Sequence, residues 1–259
     1  MPNFIENWCD CTDTTVARAH KLHVLSEKVG GRTASRDSFI QTMASHYEDP
    51  KAFADRIKRR GYKKAAKTLI DRLPTTKKAR SGHIGEILAT EIVPNFFPTF
   101  TVPIKRLRWN DARNTALRGE DVIAIERRAK SVRFLKGESK SRVSLAPNVV
   151  AKARKALDEN EGRPSLHAMG FIMNRLLELN QEDLAYVFED YMLTTTIRPK
   201  QVVHMSFGLS GNDASSAYEN DLKNYSGEIE QHAMCLQVSD HATFVREAYT
   251  DLARYAPNP

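Results

Sequence analysis

The chain has 259 residues, of which 41% are hydrophobic and 27% charged, a composition typical of a folded protein that buries a full core. No run of about 18 apolar residues occurs, which excludes a membrane-spanning helix, and the first residues lack the basic and apolar segments of a secretory signal. Three cysteines are too few for a disulfide scaffold, so we expect a cytoplasmic protein.

The net charge of +7 is unevenly distributed along the chain. Residues 51–80 contain 12 Lys or Arg against 2 Asp or Glu, and residues 101–155 contain 15 against 5. Residues 156–259 reverse the sign, with 7 against 16. Basic side chains at such density repel one another unless a polyanion neutralises them, so the pattern favours nucleic-acid binding. A solvated helix surface is the alternative, and charge alone does not decide between the two.

Residues 1–80 carry apolar positions at helical spacing, which predicts an N-terminal helical region. Asp49 and Pro50 favour a helix start, because the Asp side chain accepts a backbone hydrogen bond and Pro suits the first turn. The next helix is predicted over residues 82–93, with Ser81 as its cap.

From residue 101 onward the pattern alternates between β-forming segments and helical ones. Strands are predicted over 101–109, 121–126, 132–140, 201–209 and 232–238, and helices over 147–160, within 164–196, near 214–226 and over 241–255. The order helix, three strands, helix, strand predicts an α/β fold with a mixed central sheet flanked by helices. The helices within 164–196 then form an insertion in a core that covers residues 81–259.

Two small groups of metal-binding residue types lie near the N-terminus. Cys9 and Cys11 resemble half of a zinc site, but no second Cys or His pair with suitable spacing follows. His20 and His23 are three residues apart and would share one face of a helix, again without a third ligand. We therefore interpret all four as ordinary structural residues.

The strand over 132–140 ends in the tripeptide that contains Glu138 and Lys140. Residues two apart on a strand project from the same face. An acidic residue two positions before a lysine also begins at Asp49 and Asp221, but in helical contexts. Only Glu138 and Lys140 end an apolar strand, so their context selects them. A surface ion pair is the alternative interpretation, and it would contribute only about 0–1 kcal/mol.

Asp121 opens the preceding short strand, where a carboxylate without a partner would be costly to bury. If the two strands form a hairpin, Asp121 and Glu138 converge. Two carboxylates with several waters are the usual ligands of Mg²⁺. Such an ion polarises a phosphate and lowers the pKa of an attacking water, and Lys140 would stabilise the charge that develops or orient the water.

These residues resemble the signature of the PD-(D/E)XK nuclease superfamily, an Asp that opens the second core strand and a Glu/Asp-x-Lys on the third. The resemblance implies a restriction-endonuclease-like core and DNA cleavage that depends on Mg²⁺, with Mn²⁺ as the alternative. It implies that Asp121 and Glu138 bind the metal and that Lys140 is catalytic. Many members add a Glu from the first core helix, which Glu86 matches. Glu91 lies about 140° away on the same helix and is its competitor.

A more specific resemblance is to the HamA family, the effector subunits of the Hachiman anti-phage defence system. It is carried by three segments, Ser81–Glu86, Arg118–Asp121 and Lys136–Lys140, and it extends over nearly the whole chain. The resemblance implies a helicase partner, HamB, that restrains the nuclease until invasion or DNA damage releases it. The alternatives are a non-catalytic DNA-binding subunit of a helicase complex and a purely structural partner of an enzyme.

Overall fold

Six strands form one mixed sheet at the centre of the computed structural model, which describes residues 4–129 and 131–255. The strands are β1 (Cys9–Thr15), β2 (Lys21–Glu27), β3 (Val122–Arg128), β4 (Ser131–Arg142), β5 (Val202–Ser210) and β6 (Glu230–Gln237). Their order across the sheet is β1-β2-β6-β5-β4-β3. The pairs β1–β2 and β3–β4 are antiparallel, and the three central pairs are parallel. The prediction of an α/β fold with a mixed sheet is confirmed.

Eleven helices surround the sheet within the described residues. They are α1 (Phe4–Trp8), α2 (Gly31–Tyr47), α3 (Pro50–Arg60), α4 (Tyr62–Arg72), α5 (Lys77–Glu91), α6 (Val93–Phe96), α7 (Pro147–Asp158), α8 (Leu166–Glu178), α9 (Glu182–Leu193), α10 (Ser215–Asn224) and α11 (His241–Arg254). None of them is both long and apolar enough to cross a bilayer. The helices predicted after residue 140 are confirmed to within a few residues.

Apolar side chains of the sheet alternate between two layers of helices. The larger layer contains α1, α2, α5 and α11, which pack on Leu135, Met205, Phe207 and other residues of one face. On the opposite face, α8 and α9 cover one end of the sheet around Phe134, and α7 and α10 cover the other. The central strand β5 is buried along its entire length because helices cover both of its faces.

The expectation of a purely helical region over residues 1–80 is wrong, because the segment also supplies β1 and β2. β2 pairs with β6, so the N-terminal segment is part of the common sheet. β1 has one buried residue followed by six exposed ones, and therefore lacks the apolar alternation that identifies a strand. His23 lies on β2 and not on a helix. A division into two domains at residue 80 stays a prediction.

The strand expected over residues 101–109 is absent from the structure, which places a single bridge there. Thr101 exchanges two backbone hydrogen bonds of 2.9 Å with Ile125 of β3. Pro103 cannot donate to a ladder, and residues Arg106–Trp109 form a 3₁₀ turn. The predicted first core strand is thus reduced to one residue pair beside β3.

Helix α5 begins earlier than its predicted start near residue 82. Thr76 caps it by accepting a hydrogen bond of 3.2 Å from the backbone N–H of Ala79. Ser81 lies inside the helix, where its hydroxyl contacts the hydroxyl of Ser141 at 2.9 Å. No Pro occurs between Thr76 and Ser81, so the helix extends back to Thr76.

Candidate active site

Asp121 lies immediately before β3 and against β4. The register pairs Val122 with Gly137, so the next position outward places Asp121 opposite Glu138. The Asp121 carboxylate accepts hydrogen bonds from the backbone N–H and the hydroxyl of Ser139, both at 2.8 Å. These two bonds fix Asp121 beside the strand segment that carries Glu138, as the hairpin prediction required.

The side chains of Glu138 and Lys140 are in direct contact. Lys140 Nζ donates to Glu138 Oε1 along β4. The two side chains are 15% and 23% exposed, so they are shielded from water but accessible to a ligand. A Cβ atom at Gly137 would lie 2.8 Å from that of Val122, so glycine permits the close approach of β3 to β4 here.

Glu86 reaches the same region from α5. The helix packs on β4 at Gly85, where an added Cβ would lie 3.0 Å from that of Ser141. Glu86 itself is buried, and its Oε1 lies 3.8 Å from Nη1 of Arg106. The predicted residues from α5, β3 and β4 are therefore neighbours.

The electrostatics of the region link the three carboxyl groups. Burial raises the pKa of Glu86 to about 8; the Arg106 guanidinium opposes this shift, and the charges of Asp121 and Glu138 add to it. Burial also raises the pKa of Glu138 to about 7, with Asp121 reinforcing the shift and Lys140 opposing it. Such upward shifts are typical of carboxyl groups gathered at a functional site.

Glu91, the competitor of Glu86, lies in a different environment on the same helix. Its Oε1 contacts His46 Nε2 and Lys105 Nζ, each at 2.7 Å. Although burial acts in the opposite direction, these contacts lower the pKa of Glu91 to about 2. The structure places Glu91 in a closed ion-pair cluster and Glu86 beside Asp121.

We expect Glu86→Gln to stabilise the metal-free protein increasingly as the pH rises. The folded pKa of Glu86 is about 8 against an ordinary value of 4.5, so the folded state retains a proton that the unfolded state releases between these values. Stability conferred by that proton is lost as the pH rises through this window. Urea unfolding in EDTA at pH 5, 6.5 and 8 should reveal a growing difference between variant and parent.

Glu91→Gln is the matched control on the same helix, because the sign of its shift is opposite. Its folded pKa of about 2 lies below the ordinary 4.5, so its stabilising contribution is fully present above the unfolded value. We expect this variant to be destabilised by a similar amount at all three pH values. If Glu86→Gln also changed the free energy of unfolding by the same amount at all three pH values, that result would contradict the burial of an ionisable Glu86.

The oxygen-rich donor set suits a hard divalent cation such as Mg²⁺. Within the described part of the chain, Glu86, Asp121 and Glu138 do not bring one oxygen each within 4.8 Å of one another. Asp121 and Glu138 interact electrostatically, and two carboxylates with waters are a common set of Mg²⁺ ligands. The raised pKa values of Glu86 and Glu138 fit this assignment, because a cation would relieve the repulsion among the carboxylates.

Sequence reasoning missed the residues that support the site. Ser139 holds Asp121, although it stands inside the acid-x-Lys segment itself. Arg106 donates to the carbonyl oxygens of Arg118 and Glu120 and so fixes the loop before Asp121. The only available signal was an arginine within a segment of β-forming residues.

A second missed feature is a buried ion pair beneath the site. Lys136 is 1% exposed, and its Nζ lies 3.7 Å from Glu120 Oε1 and donates to the carbonyl of Glu159 at 2.7 Å. Glu120 also accepts two hydrogen bonds of 2.8 Å from the N–H and hydroxyl of Ser165. The pair fastens the start of β3 to β4 and to the beginning of α8.

The two basic segments differ in how their charges are used. Within 51–80 most of the cations are exposed on α3, α4 and the start of α5; this basic surface comprises Lys51, Lys58, Arg59, Arg60, Lys63, Lys64, Lys67, Lys77 and Lys78. Within 101–155, Arg106 and Lys136 are buried, and Arg133 and Arg154 form internal ion pairs. The second segment is therefore partly structural.

Comparison with known proteins adds two matches. A family model described as HamA matches residues 2–252. A curated relative from Bacillus cereus, named "Hachiman protein HamA", is 23% identical over 176 residues. The alignment covers 68% of this chain and 62% of the relative, which is less than two thirds of the relative's own length.

Proposed function

The chain belongs to the HamA family, and from that premise we propose that it is a metal-dependent DNA nuclease of the PD-(D/E)XK type. It acts as the effector of the Hachiman anti-phage defence system and degrades DNA when it is activated. A helicase partner, HamB, controls that activation. The relative's name supports the assignment to Hachiman, and the side chains around Asp121 support the chemistry.

One observation carries the nuclease proposal. Ser139 holds the Asp121 carboxylate against β4, next to the contacting pair of Glu138 and Lys140. A surface ion pair between Glu138 and Lys140 needs neither a further carboxylate nor a raised glutamate pKa. Glu138 nevertheless has Asp121 as a neighbour, and its pKa is raised. Acidic groups held together against their mutual repulsion are costly, and a bound cation offsets that cost.

Each residue has a distinct role in the proposed reaction. Asp121 and Glu138 would hold the divalent ion, which would supply Lewis-acid chemistry by polarising the scissile phosphate and lowering the pKa of an attacking water. Lys140 leaves Glu138 to donate to a phosphate oxygen and stabilises the charge that builds there. Glu86 supports the site from α5, where its pKa of about 8 keeps it mainly protonated near neutral pH and able to donate a hydrogen bond. The bond broken is a phosphodiester P–O bond, and the attacking water supplies the oxygen that replaces it.

The main alternative is a non-catalytic DNA-binding subunit of a helicase complex. It predicts the same basic surface but assigns no role to the Asp121, Glu138 and Lys140 arrangement. A decayed nuclease site would be expected to have lost at least one of the three. All three are present and adjacent, so we favour the enzyme.

Plasmid cleavage with and without divalent metal tests the proposed function. We expect Mg²⁺ or Mn²⁺ to support conversion of supercoiled plasmid to cut forms, and excess EDTA to stop it, because the carboxylates alone do not activate water. The chain should be assayed alone and with its helicase partner present, since the partner restrains or releases activity. Absence of cleavage in every one of these states would refute the proposal and favour the DNA-binding alternative.

A further inference from the structure

A chain of ionisable side chains crosses the sheet at the edge opposite to β3. His23 on β2 contacts Asp13 on β1 through Nδ1 at 2.8 Å. Its other ring nitrogen contacts His232 Nδ1 on β6 at 3.0 Å. His232 Nε2 in turn contacts Glu230 Oε1 at 3.0 Å. Cys11 Sγ lies 3.1 Å from the same Asp13 oxygen.

Strand register explains why these side chains meet. Asp13 is directly opposite His23 in the antiparallel pair, and Cys11 is two residues back on the same face of β1. The Cys11 sulfur, an Asp13 oxygen and a His23 ring nitrogen all lie within 4.8 Å of one another. The His23 side chain is 4% exposed, whereas that of Asp13 is 63% exposed, so the group opens to solvent on one side.

The hydrogen bonds along this chain lack one hydrogen. Three contacts join Asp13, His23, His232 and Glu230 in sequence, and each needs one hydrogen between its two heavy atoms. Two neutral imidazoles supply only two N–H groups, whichever tautomers they adopt. One contact is left with two lone pairs facing each other. An additional cation, either a proton or a metal ion, must complete the chain.

The thiol of Cys11 distinguishes between these two cations. An extra proton between His23 and Asp13 needs no sulfur, whereas the convergence of sulfur, imidazole nitrogen and carboxylate oxygen is the donor set that Zn²⁺ prefers. The remaining contacts also fit a metal site. With Nδ1 of His23 bound to the ion, its Nε2–H donates to His232, and His232 donates to Glu230, which orients the ligand ring.

We propose that Cys11, Asp13 and His23 bind one Zn²⁺ ion, with water as the fourth ligand on the exposed side. Zinc–ligand bonds of about 2.0–2.3 Å place tetrahedral ligand atoms about 3.3–3.8 Å apart. The observed separations of 2.8 and 3.1 Å require an opening of about half an ångström, which side-chain rotation at exposed Cys11 and Asp13 supplies. Binding releases the thiol proton of Cys11 to solvent.

The proposed ion joins β1 to β2 at the outer edge of the sheet. Phe96 and Phe97 pack edge-on against His23 and His232, with ring centroids 4.7 Å apart in both pairs, and shield the inner side of the group. The location is at the opposite end of the strand order from β3 and β4, so the zinc site and the proposed nuclease site are separate. Its donor set also differs, because sulfur and nitrogen ligands discriminate against Mg²⁺.

Cobalt(II) substitution provides a test that does not depend on nuclease activity. The reduced, metal-stripped full chain should bind one equivalent of Co²⁺, with visible d–d bands and a thiolate-to-metal charge-transfer band that Zn²⁺ abolishes by competition. We expect Cys11→Ser to lose the charge-transfer band and at least tenfold in affinity. Asp13→Asn and His23→Gln should each weaken binding by a similar factor.

Cys235→Ala is the matched control, because it removes a cysteine of β6 that is buried elsewhere and should leave the spectrum unchanged. Cys11 is exposed on an edge strand, so Cys11→Ser should fold even if His23→Gln does not. A charge-transfer band that survives Cys11→Ser, or a parent protein without such a band, would overturn the proposal. Either outcome would leave an additional proton as the cation that completes the hydrogen-bond chain.

Discussion

Replacing Glu138 and Lys140 together with alanine should reduce the rate of plasmid cleavage by about 1000-fold or more. The substitution removes one proposed metal ligand and the cation proposed to stabilise charge on the phosphate. Their side chains contact each other, so removing both together leaves neither charge of the pair without its partner, and we expect the fold to be retained. The effect is measured as the initial rate at which supercoiled plasmid is lost in Mg²⁺, under whichever of the proposed assay conditions gives cleavage by the parent protein.

The control is a second pair of an acidic residue and a lysine in the same chain. Glu219 and Lys223 form a 2.7 Å ion pair on the exposed face of α10. Glu219→Ala/Lys223→Ala removes the same two residue types and should leave cleavage within about twofold of the parent, because exposed pairs contribute about 0–1 kcal/mol. Equal rates for the two double variants would remove Glu138 and Lys140 from the mechanism.

Asp121→Asn isolates the charge of the second proposed ligand from its position. The asparagine carbonyl can still accept from Ser139, as the carboxylate does at 2.8 Å. Cleavage should therefore fall about as far as in the Glu138→Ala/Lys140→Ala variant, while the unfolding midpoint stays close to that of the parent. A variant with full activity would mean that Asp121 has only a structural role.

Duplex DNA should bind the chain with an affinity that falls steeply as salt increases. If the exposed cations of the basic surface make about 6–10 phosphate contacts, affinity should decrease by about 10³–10⁵ between 50 and 200 mM salt. Fluorescence anisotropy with the Glu138→Ala/Lys140→Ala protein measures binding without cleavage. Affinity that is independent of salt would contradict a role for the basic surface.

Two neighbouring lysines of that surface allow a local test. Lys63→Ala/Lys64→Ala should weaken binding equally for unrelated DNA sequences and reduce the salt slope by about 2, because each lysine accounts for about one phosphate. Lys200→Ala/Lys223→Ala is the control, since both residues are exposed in the acidic C-terminal part of the chain. If both double variants lower the slope alike, binding is a property of net charge and not of this surface.

The sequence predicted the hairpin that carries the site because short-range rules govern it. The apolar run after Asp121 and the one before Glu138 each fit a strand, and pairing them brings the two acidic residues opposite each other. The context of Glu138 and Lys140, at the end of an apolar strand, was enough to separate them from the helical pairs at Asp49 and Asp221. The preference for Glu86 over Glu91 came from the superfamily resemblance and stays a prediction, because helical spacing fits either residue.

The N-terminal strands were missed because long-range pairing, and not local pattern, makes them strands. β1 is polar along almost its whole length, and its partner β2 pairs with β6, more than 200 residues later. The same limitation hid the meeting of Cys11, Asp13 and His23. Spacing rules search for ligands that are close together in the sequence. Strand register instead places Asp13 beside His23, 10 residues later, and His23 contacts His232 on β6.

Asp121 lies outside the β3–β4 ladder, and hydrogen bonds from Ser139 on β4 hold its carboxylate. It lies one residue outside β3, where Ser139 holds its carboxylate and Arg106 holds the carbonyls of Arg118 and Glu120. Glu138, by contrast, belongs to a strand that is paired on both sides. One carboxylate is therefore anchored in the framework and the other is carried by a loop. Alignment of the two proposed ligands and stability of the fold are separable in such an arrangement, since displacing the loop would separate the two carboxylates while every strand pair stayed intact.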